Sequence, residues 1–365
     1  MHEKNIRPNR KTIGCGCNGD KLVKFGQTAA GNRRLRCTVC GKTFVVKKPV
    51  VSFSDFVAFA QYVTGMVNRK KIMVEKDISR PTLNTKFKPF FDHPLTAEEV
   101  WKILPPKISK TSKSWVYGVD GKWLKRQGVI LIHRDITHKE NLYWSFHKSE
   151  SFEALSEDLE RLTRLILDSS GNLPVAAVSD WKSAILASVG SFFGPIPHQR
   201  CLSHVVRLAK HLLPKNSPIP ATLKLREIAL ELNNITDDTE RDLWQEQLTD
   251  WHQNYKHLLK ERSIASPGHQ KKWWYTHGNL RRGFRLLTKD QDSLFVFLAD
   301  PLIPKSNNSL EGINSQLDQK LGDHRGMKLN QQISFAFWHL TFGGDASNTL
   351  KLRKLWDYWK KNFVD

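Results

Sequence analysis

Trp115-Val-Tyr-Gly-Val-Asp-Gly-Lys-Trp123 (WVYGVDGKW) sets an aspartate, Asp120, into an apolar run. Asp-Gly is the favoured pair of a tight hairpin, while an acid inside a strand is a candidate metal ligand. The neighbouring sequence decides between the two. GVILIHRDI and NLYWSFH follow, rich in β-branched and aromatic residues and separated by Gln127-Gly128 and by Thr137-His138-Lys139. Three such runs with short turns predict an antiparallel meander. With Gln127-Gly128 as the first turn, Asp120 lies within the first strand, on the face of Val116 and Gly118 and away from Tyr117 and Val119. The turn reading weakens.

Beyond the meander, SFEALSEDLERLTRLILDSSG places Phe152, Leu155, Leu159, Leu162 and Ile166 on one helical stripe, with Ser151 as a cap. A buried-type strand, Leu173 to Ser179, ends at Asp180 and is followed by the helix WKSAILASVG. PIPHQRC predicts a further short strand, and LSHVVRLAKHLL another amphipathic helix. The order β-β-β-α-β-α-β-α is that of a ribonuclease-H-like α/β fold, a mixed sheet with helices on its faces. From about Pro220 to Ala299 the chain reads as an all-helical insertion, with SLFVFLA its only strand candidate. A late helix beginning near Ser306 completes the core.

Five cysteines, four of them before residue 41, suit metal ligands in a reducing compartment rather than a disulfide framework. Cys15-Gly-Cys17 and Cys37-Thr-Val-Cys40-Gly can place four thiolates around one zinc ion, so residues 1–50 read as a zinc-ribbon-like module; the alternative is free cysteines that pack. Arg33, Arg34, Arg36, Lys42, Lys47 and Lys48 surround the second knuckle. They form either a phosphate clamp or a solvated basic loop. Residues 51–110 read as short helices and a linker; Ser79-Arg80-Pro81 opens a segment that fits the recognition helix of a helix-turn-helix or a plain helical linker. The remaining boundaries are 111–219 and 301–365 for the α/β core and its completion, and 220–300 for the insertion.

The 57 Lys and Arg against 36 Asp and Glu give a formal charge of +21. Residues 1–50 alone carry 12 basic and 2 acidic residues, 12 − 2 = +10. Such an excess points to a polyanionic partner, because basic surfaces release counterions from a phosphate backbone. No apolar run reaches the ~18–20 residues of a membrane span, and the N-terminal residues lack a secretory pattern. A cytoplasmic, nucleoid-associated protein is expected.

Three acids stand out, each with an ordinary explanation: Asp120 as a hairpin residue, Asp180 as a helix cap, Asn308-x-x-Glu311 as a capping box. Together they fit a different pattern. The sheet order puts Asp120 and Asp180 on adjacent strands, and the late helix can lay Glu311 across both. Three carboxylates suit two Mg²⁺ or Mn²⁺ ions, roughly 3.5–4 Å apart, acting on a phosphodiester.

VYGVDGKWLK, AVSDWKSAI, HQRCLSHVVR and SNNSLEGINSQL, in this order and with a helical insertion before the last, resemble the DDE transposases of bacterial insertion sequences, in the group related to eukaryotic Mutator elements. The resemblance runs from about Ser114 to His339; the Cys-x-x-Cys-Gly-Lys-Thr-Phe ribbon is also similar to many such enzymes. It implies Asp120, Asp180 and Glu311 as catalytic metal ligands, double-stranded DNA (terminal inverted repeats and target) as partner, and a homo-oligomer on DNA. Cys201-x-x-His204 matches the Cys-x-x-His signature of the group. Cys15-x-Cys17 and the short interval between Asp180 and Cys201 depart from its pattern.

Several residues keep two readings. Cys201 and His204 either support the acids or contact DNA, or they form a satisfied core pair; a zinc site there lacks further ligands, with His198 the only local candidate. Trp273 and Trp274 either stack on a displaced base, as an aromatic residue of the insertion can in related transposases, or fill the insertion's core. Asn307 and Asn308 position substrate or only start the helix. Two rival functions follow: a DNA-binding regulator derived from such an enzyme, and a metal-dependent nuclease that does not join strands.

Overall fold

The computed structural model describes residues 22–29, 32–46, 51–109, 113–266, 272–322 and 326–364. The chain divides into two compact units, Met1–Leu95 with Gly326–Asp365, and Thr96–Arg325. Among the described residues no helix is long and apolar enough to cross a membrane.

In the first unit, β1 (Leu22–Gln27), β2 (Arg33–Cys37) and β3 (Thr43–Val46) form an antiparallel sheet in that order. Cys37 ends β2 and is buried, and Cys40 is exposed in the turn that follows. Gly41, at φ +70°, closes that turn by donating its N–H to the Cys37 carbonyl at 3.0 Å. Cys15 and Cys17, and Lys47 and Lys48, lie outside the described residues. Three helices follow: α1 (Phe53–Thr64), α2 (Arg69–Glu75) and α3 (Arg80–Asp92), opened by Ser52, Asn68 and Ser79 as caps. Buried Asp55 closes the α1 capping box and pairs with Lys76 and Lys86 at 3.5 and 2.9 Å, so its charge is compensated.

The chain returns to this unit at its C-terminal end with α12 (Leu329–Phe342) and α13 (Thr349–Phe363). Phe56, Phe59, Phe90, Trp338 and Trp359 form an aromatic core with edge-on and tilted contacts. The indole N–H groups of Trp338 and Trp359 donate to the Phe90 and His93 carbonyls, each at 2.8 Å. These bonds satisfy backbone groups left over at the end of α3.

The second unit opens with α4 (Ala97–Ile103), held by a Thr96–Glu99 capping box. β4 (Val116–Trp123), β5 (Val129–Asp135) and β6 (Glu140–His147) form the expected antiparallel meander. Next come α5 (Phe152–Asp168), β7 (Ala176–Ser179), α6 (Ser183–Phe193), β8 (His198–Arg200) and α7 (Leu202–Leu212). The five strands lie in the order β6-β5-β4-β7-β8, with β7 parallel to β4 and β8 parallel to β7. The sheet is therefore mixed, as the element order predicts. Leu155, Leu159, Leu162 and Ile166 of the α5 stripe are buried, whereas Phe152, in its first turn, is exposed.

The segment up to Ala299 is not all-helical. Between α8 (Pro220–Glu231), α9 (Asp238–Tyr255) and α10 (Gly278–Thr288) it carries a two-stranded hairpin, β9 (Arg262–Ile264) with β10 (Trp273–Tyr275). Three aromatic residues in a row, set off by Ser-Pro-Gly at 266–268, favour a strand that the surrounding helical pattern obscures. Conversely, SLFVFLA forms 3-10 turns, Gln291–Leu294 and Val296–Leu298, rather than a strand. Buried Gln199 explains why: its side chain donates to the Leu294 carbonyl and accepts the Phe297 N–H, both at 3.0 Å, taking bonds a strand partner would need. The insertion shares one core with the sheet, since Trp244, Trp251, Leu287 and Phe295 belong to the same buried cluster as Val116, Val178 and Cys201. α11 (Asn308–Gly322) ends the described part of this unit.

Candidate active site

Period-two alternation along β4 aims Tyr117 and Val119 at one face and Gly118 and Asp120 at the other. Gly118 is needed there: a Cβ would meet Ile136 Cδ1 at 2.4 Å and Asn307 Oδ1 at 3.1 Å. The glycine lets Asn307 close on the strand. Its side chain donates to the Val119 carbonyl at 3.5 Å, and its backbone N–H donates to Cys201 Sγ at 3.3 Å. The starts of α7 and α11 are thereby tied to β4. Asn308 accepts the Ser203 hydroxyl at 3.0 Å, a second tie between the two helices.

A cleft of about 550 Å³ opens over this junction and is lined by Asp120, Asp180 and Glu311, together with His204, Arg207 and Asn314. Asp120 accepts the Gly121 N–H at 2.9 Å on one oxygen and the Asn314 side-chain N–H at 2.7 Å on the other. Asn314 stands three residues after Glu311, on the same face of α11. Glu311 pairs with Arg207 at 2.8 Å and lies 3.3 Å from His204 Nδ1. Asp180 does not cap α6, which begins after Lys182; its carboxylate instead takes the Lys182 N–H and ammonium, at 3.3 and 2.7 Å. Trp181, at φ +69°, turns the chain sharply between them, and its indole donates to Asp290 at 3.1 Å. A bulky residue in the left-handed region is strained.

Electrostatics set Asp120 apart. Burial pushes its carboxyl above the ordinary range and the charge of Asp180 pushes it further, against the opposing influence of His204, the Gly121 N–H and Lys182. Glu150, absent from the sequence-based set, belongs to the same field. Its side chain is almost wholly buried and shares the Lys182 ammonium with Asp180, 2.6 Å away. Burial raises its pKa, Lys182 lowers it, and Asp180 and Asp120 raise it again. Lys182 is held above its ordinary value by these two acids, despite burial. At the other end Lys122 bonds Asp318.

Cys201 is buried, and burial raises its thiol. The partner of Cys201 and His204 is Glu311: one ligand atom from each of the three lies within 4.8 Å of the others. His198 sits apart on β8, bonded to the Ser179 hydroxyl at 2.8 Å, with burial lowering its pKa to about 4. Arg33, Arg36, Lys42 and Arg80 are exposed, and Arg34 is half-buried. Trp273 and Trp274 are 41% and 48% exposed, which excludes them from the insertion's core. Arg262 covers the Trp273 ring at 4.0 Å.

Two of the missed residues carried a sequence signal. Asn314 follows Glu311, and Arg207 follows His204, at the i+3 spacing that shares a helix face. Glu150 carried none, because its relation to Asp180 exists only after α5 and α6 pack side by side. Neither the family models nor the curated proteins compared with the chain include a match.

Proposed function

We propose that the chain is a DDE-type transposase that binds the ends of an insertion sequence and catalyses metal-dependent DNA cleavage and strand transfer. The reading rests on one observation above all: three carboxylates from β4, the end of β7 and α11 line a single open cleft of a strongly basic chain. In this reading the mixed sheet is a ribonuclease-H-like core interrupted between α7 and α11, and the N-terminal sheet is a zinc ribbon closed by Cys15, Cys17, Cys37 and Cys40.

The donor set fits hard divalent cations. Asp120, Asp180 and Glu311 supply oxygen ligands only, and the Lys182 ammonium already serves as a counter-cation to Asp180 and Glu150. Mg²⁺ or Mn²⁺, when bound, activates the attacking oxygen and stabilises charge on the phosphate. The chain's own residues prepare the site. Asn314 and the Gly121 N–H fix the rotation of the Asp120 carboxylate, and Lys182 offsets the repulsion between Asp180 and Glu150. Arg207 and His204 line the cleft wall, where both can donate to phosphate oxygens. Arg33, Arg34, Arg36, Lys42 and Arg80 supply backbone contacts to double-stranded DNA. Exposed Trp273 and Trp274 offer faces on which a base can stack. Two protomers, one on each end, form the working assembly.

Purified protein, Mn²⁺ and DNA carrying the inverted repeats that flank the gene test the reading. Joined products are expected. Nicks without joining would make the chain a nuclease, and binding without cleavage a regulator. Asp180→Asn should lose both chemical steps and keep end binding.

A further inference from the structure

We propose that Cys201, His204 and Glu311 form a second metal site, distinct in its chemistry from the oxygen-only set, that takes a soft divalent cation such as Zn²⁺ and withdraws Glu311 from the other two acids. Three donors of different kinds converge: a thiol from the end of β8, an imidazole one helical turn later on α7, and a carboxylate from α11. One ligand atom from each lies within 4.8 Å of the others, and the imidazole nitrogen is 3.3 Å from the carboxylate oxygen. In a tetrahedral zinc site, bonds of about 2.0 to 2.3 Å separate neighbouring ligands by roughly 3.5 Å. Small side-chain rotations close the difference.

The surroundings of the sulfur favour the same conclusion. Cys201 Sγ is buried and accepts the Asn307 backbone N–H at 3.3 Å, the kind of outer bond that orients a thiolate ligand. His204 and Glu311 line the cleft, so a metal held here has protein on the sulfur side and solvent on the other, leaving a position for water. On binding, the S–H bond gives its proton to solvent and the sulfur pair goes to the metal; thiolate and carboxylate together balance the dication. Arg207 must release Glu311, and with its side chain 61% exposed it can swing into solvent. A thiolate–imidazole pair selects zinc or cobalt over magnesium and manganese. The sequence conceals the site because Glu311 lies more than a hundred residues from Cys201.

The binding claim stands by itself; the consequence for catalysis rests on the transposase reading. Cobalt(II) titration of the full-length, metal-free chain reads the site through thiolate-to-cobalt charge-transfer absorbance. The wild type should take up one more thiolate-bound equivalent than Cys201→Ser, the N-terminal cysteines accounting for the remainder in both. Glu311→Gln, which leaves the buried sulfur in place, should weaken that extra equivalent 10-fold or more. Identical titrations of wild type and Cys201→Ser, or an extra equivalent untouched in Glu311→Gln, would overturn the proposal. Stoichiometric Zn²⁺ should also suppress Mn²⁺-dependent end cleavage, and undiminished cleavage at full site occupancy would refute the antagonism. A wild type that shows the extra equivalent but never cleaves DNA would remove the transposase reading and leave the metal site intact.

Discussion

An acid lies against each face of the β4–β6 meander, buried Asp158 on one and half-buried Asp120 on the other, and the two are treated in opposite ways. On the α5 side, Asp158 accepts from His133 and His147, each at 3.1 Å, and from Ser145. His133 in turn meets the Tyr117 hydroxyl at 2.6 Å. Burial alone would raise the Asp158 carboxyl, but these bonds outweigh it and bring its pKa down to about 2. On the α11 side, Asp120 has one side-chain donor, faces Asp180 and is pushed upward. A fully satisfied acid rigidifies a core. An acid with one neutral donor on each oxygen, held beside a like charge, stores unfavourable energy that a cation would relieve. The contrast fits Asp158 to the fold and, on the proposed reading, Asp120 to the chemistry.

The largest expected effect breaks the Asp120 side. Asp120→Asn should lower strand cleavage on the order of 10⁴-fold, equivalent to about 5 kcal/mol in the barrier. The same change should raise the thermal midpoint of the metal-free protein, because it removes the charge that burial and Asp180 penalise. A lowered midpoint with retained cleavage would reverse the assignment.

Asp158→Ala should act the other way, costing about 3–5 kcal/mol in urea unfolding because it strips two histidines and a serine of their shared acceptor. The pH dependence follows from the sign of the shift. Asp158 is held below its ordinary 3.8, so its stabilisation is present above that value and fades as pH falls from about 4 to 2. His147 is raised, chiefly by its bond to Asp158, so its contribution is present below its ordinary 6.5 and fades as pH rises through the elevated value. Both dependences should vanish in Asp158→Ala. An unchanged pH–stability profile would show that the network contributes nothing.

Lys182→Met sharpens the comparison on the cleft side. Without the ammonium shared by Asp180 and Glu150, the metal-free protein should lose stability and Mn²⁺ should restore more of it than in the wild type. Differential scanning calorimetry with and without Mn²⁺ reads both changes, and equal increments in the two proteins would contradict the role given to Lys182. Smaller still, Trp273→Ala and Trp274→Ala should each weaken binding to DNA with an unpaired base at the element end by about 1–3 kcal/mol. Equal weakening on fully paired DNA would argue against stacking.

Local signals carried much of the architecture. The alternation around Asp120 placed it on the correct face, the stripe from Leu155 to Ile166 defined α5, and Ser151 caps that helix by accepting the Ala154 N–H. Relations across the chain were less visible. Glu150 meets Asp180 through the packing of α5 on α6, and Glu311 meets Cys201 and His204 through Asn307, none of which leaves a periodic trace. The hairpin at Trp273 was hidden for a different reason: three-residue strands are too short for their alternation to stand out beside long helices. The ends of the chain are a further case, since nothing in the tryptophan-rich C-terminal sequence announces that its partners are Phe56, Phe59 and Phe90.

The account turns on Asp120, Asp180 and Glu311 acting together on hard divalent cations, and Mn²⁺ uptake measures that directly. Electron paramagnetic resonance of free Mn²⁺ during titration of the full-length chain should show tight uptake by the wild type. Asp120→Asn, Asp180→Asn and Glu311→Gln should each abolish it without loss of fold by circular dichroism. Uptake that is the same in the wild type and in all three folded variants would contradict the claim.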